Sequence, residues 1–202
     1  MWQHTNFLML LKLREMNSEL TSLPYTHNEN WAQNLIRQLH IHVQGDAWWD
    51  ERVSDCVRFG AARSSLHLAV FVEPYLSLLM GGAKTIESRF SLEPIAPFKM
   101  IWPGDLVVLK RAGGSVIGIG HVGDVEYVRR SDSSWNNIRQ NYAKGLCVTD
   151  DRFWERASHA WFASFIWFDH LKSLSEIECD KHDRRGWVVV RSATDQLALE
   201  FK

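Results

Sequence analysis

The sequence predicts a mixed α+β domain, in which about six strands form a small curved sheet or barrel, flanked by short helices and preceded by a helical N-terminal extension. Three observations lead there. From Leu66 onward, short apolar runs recur between Gly, Pro and Asp turn signals. Helical stretches interrupt these runs without the strict strand and helix alternation of a parallel α/β fold. Before Ser64 the pattern is helical instead. The chain has 202 residues, 46% of them apolar, which suits one compact domain with a small appendage better than two full domains.

In the extension, "NENWAQNLIRQLHIHV" sets Trp31, Leu35, Leu39 and Val43 at four-residue steps, an amphipathic helix with Asn28 or Asn30 as its cap. This helix is expected to pack on the main domain. Small and polar residues in "GAARSSL" mark a boundary, giving an extension over 1–63 and the main domain over 64–202. There "LHLAVFV" reads as a strand and "EPYLSLLMGG" as a short helix with Pro74 in its first turn and two glycines at its end. "KTIESRF" is a second strand. The Pro-Gly-Asp turn in "WPGDLVVLKR" launches a third, and Gly113 and Gly114 turn the chain into a fourth, "SVIGIGHVGDVEYV". Helical stretches are expected around Ser133 to Tyr142 and Asp150 to Ala157. "WFASFIWFDHLKSL" and "GWVVVRS" complete six strands.

Bulk composition narrows the function only slightly. Lys+Arg 23 against Asp+Glu 24 gives a formal charge of -1, so nucleic-acid affinity would have to come from local clustering. Cys56, Cys147 and Cys179 are widely spaced with no C-x-x-C pair, against a disulfide framework or zinc ribbon and in favour of a reducing, cytoplasmic setting. "NFLMLLKL" is too short for a membrane span and lacks a signal peptide's basic leader. Ten tryptophans and ten phenylalanines are a heavy aromatic load, serving as core or as platforms on which bases stack.

The stretch "GGAKTIESRF" concentrates charge of both signs between apolar segments. Strand alternation puts Thr85, Glu87 and Arg89 on one face, and Lys84 sits at a glycine turn whose freedom lets its ammonium curl towards them. The ordinary reading is a surface ion pair worth about 0–1 kcal/mol. However, Gly82, Lys84, Glu87 and Arg89 have the spacing of the G-x-K-x-x-E-x-R signature, and the chain from about Ser65 to Arg191 resembles the ASCH family of the PUA-like superfamily. The strand and helix carrying Tyr75, the "PGDLVVLK" strand and the closing "RRGWVVV" strand resemble it too. The 1–63 extension falls outside the resemblance.

The resemblance implies a cleft beside the barrel, lined by the signature residues, with RNA or a modified nucleoside or nucleotide as ligand and no cofactor. Some members are similar to ribonucleases, others to amidohydrolases that deacylate a modified cytidine such as N4-acetylcytidine. In the amidohydrolase type a lysine activates a threonine three residues on, and Glu87 stands where that threonine would be. Lys84 with Glu87 remains a candidate acid–base pair for activating water or a ribose 2'-hydroxyl. A non-enzymatic reader of a modified base fits as well.

Further candidates surround this core. Ser164 offers a hydroxyl on a strand flanking the cleft, or a small residue that lets aromatics pack. Lys110, Arg111 and Arg185 are candidate phosphate contacts, and Trp102, just before a turn, a candidate stacking surface. "GIGHVG" matches G-x-G-x-x-G but lies in a strand with no helix after it, so it is expected to be a bent strand. His40 with His42, and Cys179 with His182, lack the further ligands of a tetrahedral zinc site, so no metal is expected. His67, His121 and His170 read as hydrogen-bonded core or rim residues.

Overall fold

The computed structural model describes residues 30–57, 62–130, 137–181 and 184–193. Two helices come first, α1 (Asn30–Val43) and α2 (Ala47–Val57), followed by β1 (Leu66–Phe71), α3 (Tyr75–Met80), β2 (Glu87–Ser91) and β3 (Leu106–Arg111). Then come β4 (Val116–Arg129), α4 (Ile138–Leu146), α5 (Asp151–Ser158), β5 (Phe162–Ile177) and β6 (Trp187–Arg191). All six expected strands form. Asp150 caps α5 by accepting a bond from the Arg152 amide at 2.9 Å. Asn28, residues 131–136 and His182 lie outside the described residues.

Two expectations shift in detail. The "KTIESRF" strand starts at Glu87, because the amides of Thr85 and Ile86 both donate to Gly145 O (2.8 and 3.0 Å) instead of joining the ladder. Residues 47–57, which follow the helix expected from "NENWAQNLIRQLHIHV", form α2 as a second helix. Its buried Trp49, Val53 and Cys56 follow four- and three-residue steps that the adjacent Trp48 and Trp49 obscure.

The sheet order is β2-β5-β4-β3-β1-β6; β1 and β3 run parallel and the other pairs antiparallel. In a flat sheet β2 and β1 would stand four spacings apart, roughly 19 Å at about 4.8 Å each. Yet Arg89 of β2 donates to Val70 O of β1 (3.0 Å) and to Gly186 O just before β6 (3.2 Å). The sheet therefore curls until its two ends share one side chain. The expected bent strand is β4, whose ladder with β5 shifts register three times. A Cβ added at Gly120 would stand 2.6 Å from the Phe168 ring, so the strand needs glycine there to let β5 close over it.

Burial divides by face. On the outer face, Leu35, Leu39 and Val43 of α1 and Trp49, Val53 and Cys56 of α2 pack on Leu66, Leu68, Leu106 and Val108. Farther along, Ile138 and Leu146 of α4, Val148 after it and Trp154 of α5 pack on Val128, Ala163 and Phe165. Inside the curl lie Phe71, Leu76, Leu79, Val107, Leu109, Ile166 and Trp187. The burial of the Cys56 thiol pushes its pKa up to about 12. Among the described residues no helix is long and apolar enough to cross a membrane.

Candidate functional site

The glycine turn fixes the first charged side chain. Gly81 closes α3 through its amide to Ser77 O (2.9 Å), and Gly82 adopts φ +75°, a conformation that side chains disfavour. Lys84 then returns its amide to Leu78 O at 3.0 Å. Held this way, the Lys84 side chain runs inward: the residue is 4% exposed, its Nζ lies 3.1 Å from Glu87 Oε2, and it also donates to Ile86 O.

Glu87 is 5% exposed and is shared by two cations, because Arg89 Nε lies 2.9 Å from its Oε1. That second contact is an ion pair without a well-aimed hydrogen bond, so Arg89 Nε–H has no acceptor. The guanidinium sits between two rings, 5.1 Å from the centroid of Phe71 and 5.2 Å from that of Trp187. Lys84, Glu87 and Arg89 thus converge as the signature spacing implied. Formal charges of +1, −1 and +1 leave one net positive charge, and Arg89, half-buried, is the member that reaches solvent.

Ser164 is buried on β5 directly opposite Arg89, with Tyr127 of β4 on its other side. Directly paired residues share a face, so Arg89, Ser164 and Tyr127 form one row inside the curl. Tyr127 donates its phenol to Ile101 O, and burial raises its pKa above the ordinary value. Trp102 lies edge-on to Tyr127 at 6.2 Å and is 46% exposed, an open aromatic face at the end of the row.

The remaining candidates lie elsewhere or are otherwise engaged. Tyr75, half-buried at the start of α3, packs against the cluster containing Ile86 and Phe165. Lys110 donates to Gly114 O within its own hairpin. Arg111 is committed to Glu73 at 3.0 Å and reaches Glu176 at 3.9 Å. Arg185 is exposed and adjoins Gly186, whose carbonyl holds Arg89. A groove of about 500 Å³ between β2 and α5 is lined by Ser88, Phe90, Phe153, Arg156 and His159 among others. Arg89 also lines this groove, but Ser88 and Phe90 alternate with Glu87 and Arg89 along β2, so most of its wall belongs to the face away from the charged cluster.

Two polar clusters were not legible as units in the sequence. His67 Nε2 faces Asp105 Oδ2 at 3.2 Å in the core, and Trp187 Nε1 donates to His67 Nδ1 at 3.2 Å. Indole nitrogen only donates, so His67 Nδ1 carries the lone pair and Nε2 the proton. Separately, His121 and His170 pair across β4 and β5 and both contact Asp169, at 2.7 and 3.3 Å. The signal for that contact was the His-x-Gly pattern of β4 opposite Asp169-His170, readable only with the register in hand.

The sheet is open, mixed and curled on itself, with the Gly-x-Lys-x-x-Glu-x-Arg segment entering its concave side, and its fold is that of solved ASCH structures. Among solved structures the chain is similar to ASCH from Zymomonas mobilis, at 11% identity over 67% of this chain and 94% of that one, with a TM-score of 0.50. A serine-to-alanine variant of the Zymomonas mobilis protein matches at 12% identity over 68% and 96%, also with a TM-score of 0.50. No family model matches the sequence, and no curated protein does either.

Proposed function

We propose that this protein binds RNA or a nucleotide beside Arg89, where the curled sheet opens to solvent, with Arg89 meeting a phosphate or another anionic group. One observation carries the reading: two cations share a single buried carboxylate, which leaves one net positive charge, and Arg89 is the cation nearer solvent. A net positive charge in a low-dielectric recess favours an anion, and a guanidinium suits phosphate oxygens. Glu87 aims Arg89, Lys84 keeps Glu87 from being a buried unpaired anion, and Phe71 with Trp187 fixes the guanidinium plane. Trp102 supplies a surface for a base to stack on.

Hydrolysis is the second reading, motivated by the 3.1 Å contact of Lys84 with Glu87 and by Ser164 across from Arg89. In it the Lys84–Glu87 pair shuttles a proton to or from water or a ribose 2'-hydroxyl. Fluorescence anisotropy with a labelled single-stranded RNA tests the first reading. Arg89→Gln should weaken binding at least about tenfold, or about 1.4 kcal/mol, measured at a temperature where the variant, which loses its bonds to the Val70 and Gly186 carbonyls, is still fully folded. Equal affinity would remove Arg89 from the interface. Incubating the wild type with RNA and with N4-acetylcytidine tests the second. Lys84→Ala and Glu87→Gln should abolish whatever turnover appears, whereas binding without product would leave a non-enzymatic reader.

A further inference from the structure

We propose that His121, Asp169 and His170 form a binding site for one divalent late-transition-metal ion, such as Zn²⁺ or Ni²⁺, on the outer face of the sheet. His121 and His170 are direct partners in the β4–β5 ladder, so their rings project to the same side. Asp169 would ordinarily point to the opposite side. The ladder passes from His121↔His170 to Val122↔Phe168, leaving Asp169 as the extra residue of a bulge, and a bulge re-aims a side chain in this way.

Room for that carboxylate comes from Gly123, which the ladder also skips. A Cβ added at Gly123 would lie 3.0 Å from Asp169 Cβ, tight enough that Asp169 would have to shift by a few tenths of an ångström. The bulge and the glycine together bring the three donor atoms within 4.8 Å of one another. Asp169 Oδ1 stands 2.7 Å from His121 Nδ1 and 3.3 Å from His170 Nδ1. Donors bound to one ion at about 2.1 Å lie roughly 3–3.5 Å apart, so modest side-chain rotation closes the set.

The rings are also supported from outside. Trp48 of α2 stacks on His170 at 4.2 Å and 29° and meets His121 edge-on at 5.2 Å, while Arg52 covers Trp48 with its guanidinium 3.5 Å from the ring centroid. The neighbouring charges Lys172 and Asp46 pair at 2.7 Å. Two imidazoles and one carboxylate suit Zn²⁺, Ni²⁺, Co²⁺ or Cu²⁺ better than Mg²⁺ or Ca²⁺, which take oxygen ligands. On loading, each imidazole gives its Nδ1 lone pair to the ion, so the proton that Nδ1 directs at Asp169 in the metal-free protein moves to Nε2 through solvent as the ion takes its place. The ion would tie the bulge to the helix that carries Trp48. The site lies on the opposite sheet face from Arg89 and is independent of the proposed ligand cleft.

Isothermal titration of the full chain with Ni²⁺ and with Zn²⁺ tests the proposal. About one equivalent should bind, and His170→Ala and Asp169→Asn should each weaken that event at least tenfold while leaving the melting temperature of the metal-free protein nearly unchanged. Ni²⁺ should also quench part of the tryptophan fluorescence, and that part should vanish in Trp48→Phe. The competing source of affinity is the His40 and His42 pair on α1. No binding by the wild type would overturn the assignment. So would affinity that survives both rim substitutions, or that disappears only in His40→Asn/His42→Asn.

Discussion

Two buried polar clusters lie along the same curled sheet and use similar groups to different ends. Around Asp105, the carboxylate accepts from the amides of Ser65 (2.7 Å) and Trp102 (2.8 Å) and contacts His67, whose other nitrogen is satisfied by Trp187. Every group in it named here has a partner, and Asp105 is 1% exposed. Around Glu87 the count does not close: two cations compete for one carboxylate and Arg89 Nε–H is left without an acceptor. A fully satisfied buried network rigidifies the structure that holds it, whereas an incompletely satisfied one costs stability and is kept where a ligand completes it. The first cluster builds the fold; the second is the one that the proposed anionic ligand would complete.

The sharpest test of that contrast is to remove each carboxylate. Asp105→Ala would strand the Ser65 and Trp102 amides and the His67 ring in the core, so it should cost about 3–5 kcal/mol in urea unfolding. A loss below about 1 kcal/mol would mean that water replaces the carboxylate and the cluster is less closed than its geometry implies. Glu87→Gln should cost less, about 1–3 kcal/mol, because Arg89 keeps its carbonyl partners at Val70 and Gly186. Lys84→Met alone should be destabilising by a similar amount. The double substitution Lys84→Met/Glu87→Gln should fall short of the sum by about 1 kcal/mol or more, since each removes the other's buried partner. Strict additivity would show that the two side chains do not act as a pair.

The strands were legible because each is a short apolar run closed by Gly, Pro or Asp, as in "LHLAVFV" and "PGDLVVLK". The convergence of Lys84, Glu87 and Arg89 was legible too, since alternation and a glycine turn are local properties. What surrounds Arg89 was not. Phe71, Trp187 and the carbonyls of Val70 and Gly186 come from segments 18–19 residues before it and 97–98 after it, and meet it only because the sheet curls. The same holds for Asp169, whose approach to His121 and His170 depends on a bulge that strand alternation cannot foresee. Lys110 and Arg111 show partners that the sequence also hid. As basic residues at a strand end they look available, yet Lys110 is bound to the Gly114 carbonyl and Arg111 to Glu73.

Trp187 joins the two clusters, because its Nε1–H donates to His67 while its ring supports the Arg89 guanidinium. Trp187→Phe keeps an aromatic face under Arg89 but removes the donor, leaving His67 Nδ1 buried without its partner. The expected cost is small, about 1 kcal/mol for a single neutral hydrogen bond, to be read from the urea midpoint. Affinity for single-stranded RNA should stay within about twofold if the ring alone positions Arg89. A much larger loss of binding would show that the structural cluster reaches the cleft through this residue, and that the two networks are energetically one.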